Sequence, residues 1–87
     1  MFRKRSSMDI IAEILKIAQH GARKTHIVYK ANLNFKVLRE YIEKMEQAGL
    51  ITVLQEKRQT IKTTDEGLLY LKNYNGFKKY VEAVVVA

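Results

Sequence analysis

The chain has 87 residues and no cysteine, so it corresponds to a single domain in which disulfide bonds and thiolate chemistry are excluded. Sixteen Lys and Arg residues against nine Asp and Glu give a net charge of +7, which is typical of proteins that bind nucleic acid. No apolar run approaches the roughly 20 residues that span a bilayer, so we expect a cytoplasmic protein without a membrane partner.

The first six residues are interpreted as a flexible basic arm because they contain Arg3, Lys4 and Arg5. Such an arm attracts phosphate groups, and it could also reach into a minor groove. The alternative is a solvated tail, which we prefer where base contacts are concerned. For a general attraction to phosphate, the two interpretations scarcely differ.

The first helix is predicted over about 7–20, with Ser6 or Ser7 as its N-cap and Asp9 near its positive end. A glycine that can adopt a left-handed conformation, Gly21, follows its last residues. The apolar residues recur with helical spacing and predict a broad buried face. They are Met8, Ile11, Ala12, Ile14, Leu15 and Ala18.

A short second helix is predicted over about 25–31, with Thr25 as its N-cap. Only residues 32–34 separate it from a third, amphipathic helix over about 34–48, so the two predict a helix-turn-helix. In such motifs the first of the two helices crosses the nucleic-acid backbone. Lys24, Thr25 and Lys30 are therefore candidate phosphate contacts.

The third helix has clear start and stop signals. Asn34 is a favourable N-cap, Leu33 and Leu38 have the spacing of a hydrophobic staple, and Gly49 fits a left-handed cap at the end. One face is apolar and the other is charged. The predicted buried residues are Leu38, Tyr41, Ile42, Met45 and Ala48.

Two short β-branched runs, ITVLQ and QTIKT, follow within residues 51–63 and predict a β-hairpin. The polar residues between them include Lys57 and Arg58, which at the tip are candidates to contact phosphate or a minor groove; a solvated turn is the alternative. A hairpin directly after the helix-turn-helix is the wing of a winged helix. The predicted fold is therefore a mainly α winged helix-turn-helix with a small β-hairpin.

The last helix is predicted over about 64–85, with Thr63 or Thr64 as its N-cap and Leu68, Leu69 and Leu71 packed on the domain. Its other apolar residues recur at spacings of four, three, four and three, which is the pattern of a coiled coil. We interpret residues 7–74 as the winged-helix domain and residues 75–87 as an extension for dimerisation. A terminal helix folded back on its own domain is the alternative. The predicted dimer interface is Tyr70, Tyr74, Phe77, Val81 and Val84.

The stretches GARKTHIVYKANLNFKVLREYIEKMEQAGLI and TTDEGLLYLKNY resemble the archaeal winged-helix DNA-binding proteins of about ten kilodaltons that dimerise through a C-terminal coiled-coil helix. The resemblance covers Ser7 to Tyr74, and IVYKANLNF is its most specific part. It implies a homodimer that binds double-stranded DNA in transcription regulation or chromatin organisation, at the nucleoid. The last helix here is shorter than the long rod of that family and contains Gly76.

In this interpretation the third helix enters the major groove with its N-terminus first. Arg39 is the candidate for a bidentate guanine contact, whereas Lys36 and Asn34 are candidates for phosphate contacts. Phe35 either touches a thymine methyl group or covers the start of the helix. Three glutamates in the second half of the helix either point away from the backbone or pair with neighbouring cations.

A second class of function, a winged-helix module that docks an acidic protein partner, remains open from the sequence. Catalysis is not expected, and no cofactor or metal is expected. The only aspartates, Asp9 and Asp65, stand at predicted helix starts, and the two histidines, His20 and His26, lack a second ligand nearby. The sequence has no phosphate-binding glycine loop and no metal motif.

Overall fold

The structure is a computed structural model that describes residues 5–84. Its elements follow the predicted order, and the winged helix-turn-helix fold is confirmed. They are α1 (Ser7–Ile17), α2 (Lys24–Ala31), α3 (Phe35–Gln47), β1 (Ile51–Gln55), β2 (Gln59–Thr63) and α4 (Asp65–Val84).

Helix α1 is shorter than predicted. It ends at Ile17, with Ala18 as C-cap, and the chain then turns through Gly21, whose φ is +95°. This turn brings Ala22 alongside Ile61 of β2, and the two residues exchange both backbone hydrogen bonds at 2.8 Å. The link between α1 and α2 therefore pairs with β2 through a single residue, on the edge of β2 that does not face β1.

The helix caps confirm two predictions and correct a third. Ser6 is the N-cap of α1 in a capping box with Asp9, and Asn34 caps α3 by accepting a hydrogen bond from the Val37 amide at 2.8 Å. Thr25 is not an N-cap, because α2 begins one residue earlier, at Lys24. Arg23 occupies the N-cap position without a side-chain capping hydrogen bond.

The core lies where α1, α2, α3 and the hairpin meet. Its largest fully buried side chains are aliphatic, and burying each of them stabilises the fold by about 1.5–3 kcal/mol. Two residues predicted to be buried, Met8 and Ala48, are exposed because they lie at the ends of their helices. The fully buried large side chains are Ile14, Leu15, Ile27, Leu38 and Ile61.

The wing is an antiparallel pair in which Val53 faces Ile61 and Gln55 faces Gln59. Ile61 points into the core, whereas the residues near the turn are exposed. Thr63, at the end of β2, is buried, and its hydroxyl donates to the Leu15 carbonyl at 2.7 Å. The hairpin is thus fixed to α1 at its base and projects into solvent at its tip.

Helix α4 starts tightly against the corner between α3 and β1. Thr64 caps it: its hydroxyl accepts from the Gly67 amide at 3.1 Å and donates to the Gly49 carbonyl at 2.6 Å. Gly67 is buried and its α-carbon lies so close to the Leu50 carbonyl that an added Cβ would clash with it. Leu68 and Leu69, predicted to pack on the domain, are instead exposed.

Candidate nucleic-acid interface

The first turn and a half of α3 presents polar and basic side chains to solvent. Asn34, Phe35, Lys36 and Arg39 are all exposed, and the first turn contains no acidic residue. Their opposite neighbour Leu38 is fully buried, so packing fixes the rotation of the helix and holds these side chains outward. The candidate contact residues on α3 are thereby brought together on one surface.

The second half of α3 has a different charge. Glu40, Glu43 and Glu46 are exposed there. Within residues 5–84 none of them forms a salt bridge with Arg39 or Lys44. The cations of the first turn and a half therefore form no salt bridge with these carboxylates in the described residues, and most of the negative charge lies toward the C-terminal end of the helix.

Helix α2 contributes a second basic surface. Thr25 and Lys30 are exposed, and Lys24 is half-buried. The N-cap residue Arg23 makes no side-chain capping bond to the first amides of α2. A helix N-terminus carries partial positive charge, so this end of α2 is electrostatically suited to face an anion.

The wing tip carries Lys57 and Arg58, both exposed. The turn is held by local contacts. The Thr60 hydroxyl donates to the Arg58 carbonyl at 3.4 Å, and the Gln59 side-chain Nε2 donates to Gln55 Oε1 at 3.5 Å. No described salt bridge involves either cation. Both are free to approach a phosphate.

Arg5 is engaged within the fold, whereas Arg3 and Lys4 lie outside the described residues. The Arg5 guanidinium donates to the carbonyl of Ala31 at 2.6 Å and to that of Asn32 at 3.3 Å. It therefore caps the C-terminus of α2, where helix carbonyls lack intrahelical partners. The sequence contains no local signal for this contact, which joins residues 26 apart.

The predicted dimer residues divide into two groups. Tyr70 and Tyr74 contact α1: the Tyr70 hydroxyl donates to the Met8 carbonyl at 3.2 Å, and the Tyr74 hydroxyl donates to Asp9 Oδ1. Their rings stack at 6.3 Å between centroids, and the Lys78 ammonium lies 5.8 Å from the Tyr74 ring centre. These two tyrosines thus have partners within the chain.

The remaining predicted dimer residues are exposed. Phe77 is 61% exposed, Val81 is 40% exposed and Val84 is 75% exposed, all on the same part of α4. Apolar side chains of this size, gathered on one helix, are typical of an association surface. The structure leaves them available to a partner.

The contact between α4 and α1 shifts the pKa values of Asp9, Tyr70 and Tyr74. The Tyr74 hydroxyl, followed by the side chain and amide of Ser6, lowers the pKa of Asp9. The same bond to Asp9 raises the pKa of Tyr74 to about 12. Burial, and then the Asp9 charge, raises the pKa of Tyr70.

Sequence reasoning missed a depression of about 620 Å³ between α2 and β2. His26 and Tyr29 line it from α2, Arg23 lines it from the N-cap position, and Thr60 lines it from the wing. Tyr29 is 83% exposed, which periodicity alone could have indicated because it lies opposite Ile27. The approach of Thr60 to α2 depends on the tertiary fold and has no local signal. This depression places Arg23 beside the wing, so Arg23 joins the candidate basic surface.

Within the described part of the chain, no helix is long and apolar enough to cross a membrane, and no cluster of potential metal ligands is present.

Comparison with known proteins agrees with the winged helix-turn-helix fold. The sequence profile of the winged helix-turn-helix family matches residues 4–82. An uncharacterized protein of Methanocaldococcus jannaschii is 40% identical over 55 residues, which are 62% of this chain and 57% of that protein. The chain thus spans little more than half the length of this relative.

Two solved structures are similar over most of the chain. Sso10a-2, a DNA-binding protein from Sulfolobus solfataricus, is 25% identical with a TM-score of 0.85, over 92% of this chain and 85% of that one. BpsR of Bordetella bronchiseptica, whose DNA binding is regulated by 6-hydroxynicotinic acid, is 15% identical with a TM-score of 0.73, over 92% of this chain and 59% of that one. The second likeness concerns the fold alone.

Proposed function

Because this chain belongs to the winged helix-turn-helix family, we propose that it binds duplex DNA as a transcriptional regulator or chromatin-associated protein. The observation that carries the proposal is the exposed first turn and a half of α3, where Lys36 and Arg39 face solvent and the first turn contains no acidic residue. The similarity to a DNA-binding protein of Sulfolobus solfataricus supports it. The activity is non-catalytic, and the protein acts at the nucleoid.

In the proposed complex, α3 enters the major groove with its N-terminus first. Arg39 contacts guanine, because its planar fork matches the two acceptors of that base. Asn34 and Lys36 contact phosphates, and Phe35 lies against a thymine methyl group or covers the start of the helix. The glutamates of the second half remain outside the groove, which limits the contact to the first turn and a half.

The backbone contacts come from the elements on either side of α3. Lys24, Thr25 and Lys30 contribute them from α2, and Lys57 and Arg58 contribute them from the wing. The N-terminal cations Arg3, Lys4 and Arg5 add long-range attraction. These contacts raise affinity in a salt-dependent way and add little sequence specificity.

The protein acts as a homodimer through the exposed apolar part of α4, which contains Phe77, Val81 and Val84. A two-fold dimer presents two copies of α3 and favours palindromic half-sites. Tyr70 and Tyr74, whose hydroxyls bond to α1, precede this interface where α4 leaves the domain. Sedimentation velocity at micromolar concentration tests the assembly: a dimer is expected, and a monomer would refute the α4 interface.

Binding to a labelled random-sequence duplex, titrated from 50 to 200 mM salt by fluorescence anisotropy, tests the function. Several phosphate contacts predict a steep linear fall of log affinity with log salt, by about 0.9 per phosphate neutralised. Absence of binding at low salt would reject DNA binding and favour the alternative, a module that docks an acidic protein. Selection from the same random pool then separates a sequence-specific regulator from a general chromatin protein.

A further inference from the structure

The segment Arg5–Asp9, here called the N-terminal joint, contacts the turn of the helix-turn-helix. Arg5 caps the C-terminus of α2 through the Ala31 and Asn32 carbonyls. Asn32 has a left-handed backbone with φ of 53°, and the Leu33 amide beside it donates to the Val28 carbonyl at 3.1 Å. The joint therefore holds the point at which the chain turns from α2 into α3.

The N-terminal joint also contacts α3 and α4. The Tyr41 hydroxyl of α3 donates to Ser7 Oγ at 3.0 Å, and the Tyr70 hydroxyl of α4 reaches the Met8 carbonyl. Asp9 divides its two oxygens between two tasks. Oδ2 accepts from the Ser6 amide at 3.2 Å in the capping box, and Oδ1 accepts from Tyr74.

Helix α4 is held at two places along its length. The first is its N-terminus, where Thr64 and Gly67 lie against the corner between α3 and β1. The second is the pair Tyr70 and Tyr74 on the N-terminal joint, beside Leu71, which packs against the core. From Asn75 to Val84 every residue is exposed, so these two attachments together fix the direction in which the free part of α4 leaves the domain.

We propose that Tyr74 is a positioning residue: through Asp9 and the N-terminal joint, it fixes the direction of α4 relative to α3. This rests on the proposed function, since in an α4-linked dimer that direction determines the distance between the two copies of α3. The joint thus sets the half-site spacing that the dimer prefers, and not the bases that each half-site contains.

Helix α4 is long enough for a small change in its direction to alter the half-site spacing measurably. At a rise of about 1.5 Å per residue, the helix from Gly67 to Val84 spans roughly 25 Å. A rotation of about 10° about its N-terminal attachment moves its end by roughly 4 Å, which is about one base-pair step of 3.4 Å. Loosening the second attachment should therefore broaden the tolerated spacing by about one base pair in either direction.

The first experiment measures binding to a library in which two selected half-sites are separated by every spacing over one helical turn. Wild type is expected to prefer one spacing by about tenfold or more. Tyr74→Phe should flatten this preference to about threefold or less, while affinity for an isolated half-site is unchanged. Tyr80→Phe is the matched control, because the Tyr80 hydroxyl has no hydrogen-bond partner in the described structure; it should behave as wild type.

An unchanged spacing preference in Tyr74→Phe would overturn the proposal, as would a wild type that binds the half-sites with no preference for spacing. A loss of half-site affinity equal at all spacings would also overturn it, because Tyr74 would then act only on stability.

Hydrogen–deuterium exchange of the whole chain without DNA separates this inference from the proposed function. Tyr74→Phe should speed exchange roughly fivefold at Ile10 in α1 and at Leu33 in the turn between α2 and α3, the factor expected for loss of one hydrogen bond. Tyr80→Phe should leave both unchanged. Faster exchange confined to α4 would overturn the joint even if DNA binds, whereas faster exchange at both sites with no DNA binding would reject only the proposed function.

Discussion

The hydroxyl of Tyr41 in α3 donates a hydrogen bond to Oγ of Ser7 in the first turn of α1, at 3.0 Å. It links the helix that carries the candidate DNA-binding residues to the segment that also holds α4. Ser7 is exposed and Tyr41 is half-buried, so the bond is partly solvated and joins two helices directly.

Tyr41→Phe should lower the free energy of unfolding by about 0.5–1 kcal/mol, since it removes one partly solvated hydrogen bond and keeps the ring. Urea denaturation followed by circular dichroism measures the change. Tyr29→Phe is the control, because Tyr29 is 83% exposed and should shift the midpoint little. Equal midpoints for wild type and Tyr41→Phe would show that the bond contributes nothing.

Gly67→Ala should destabilise the protein by about 1–3 kcal/mol, because the new methyl group would overlap the Leu50 carbonyl oxygen and crowd Thr63 and Leu15. Gly76→Ala should have the opposite sign. No atom lies within 4 Å of that position, and alanine is favoured over glycine in a helix by about 1 kcal/mol. Thermal unfolding of the two variants compares them directly, and a stable Gly67→Ala would contradict the close packing of α4.

Acid should weaken the contact between α1 and α4. The Tyr74 and Ser6 hydrogen bonds lower the pKa of Asp9 in the folded protein below its ordinary value of 3.8. The folded state therefore binds this proton less readily than the unfolded state does, and the contribution to stability is present above pH 3.8 and is lost as pH falls through the lower, folded pKa. At alkaline pH, the contribution of Tyr74 to stability is complete below pH 10 and is lost as pH rises through its folded pKa of about 12.

Unfolding measured against pH for wild type and Tyr74→Phe tests this linkage. The difference in stability between them should be constant from about pH 5 to pH 9 and should diminish below pH 3.8. A difference that grows as the pH falls would have the wrong sign and would reject the role of Asp9.

Removing the wing cations should weaken DNA binding for all sequences alike. Lys57→Ala or Arg58→Ala is expected to reduce the slope of log affinity against log salt by about 1, since each cation contributes one phosphate contact. The preferred sequence should not change. Lys16→Ala, which removes an exposed cation on α1, serves as a charge-matched control. A changed base preference in a wing variant would instead place that side chain on a base edge.

Local signals predicted much of the fold, and tertiary contacts account for what they missed. Asn34 and the periodicity around Leu38 predict α3 and its cap because both act within one or two helical turns. The prediction of Thr25 as an N-cap was wrong, since α2 begins at Lys24. The pairing of Ala22 with Ile61 precedes this start, and that contact joins distant parts of the chain.

The candidate interface likewise contains features that local signals predicted and contacts that they did not. The exposed cations of α3 and the wing follow from helical and hairpin periodicity. The capping of α2 by Arg5 and the bond from Tyr74 to Asp9 join residues far apart in the sequence, and neither residue type indicates such a partner. The coiled-coil pattern predicted an apolar face of α4 but not that its first two members would be held by α1.

The role of the positive charge on the first turn and a half of α3 can be tested most directly by reversing it. Lys36→Glu with Arg39→Glu should reduce affinity for duplex DNA at least a hundredfold in fluorescence anisotropy at low salt, with unchanged helical content. Lys72→Glu with Lys79→Glu makes the same change in net charge at exposed positions of α4 and should cost far less. If the α3 variant binds as tightly as wild type, or if both variants lose affinity equally, the assignment of α3 to the major groove is contradicted.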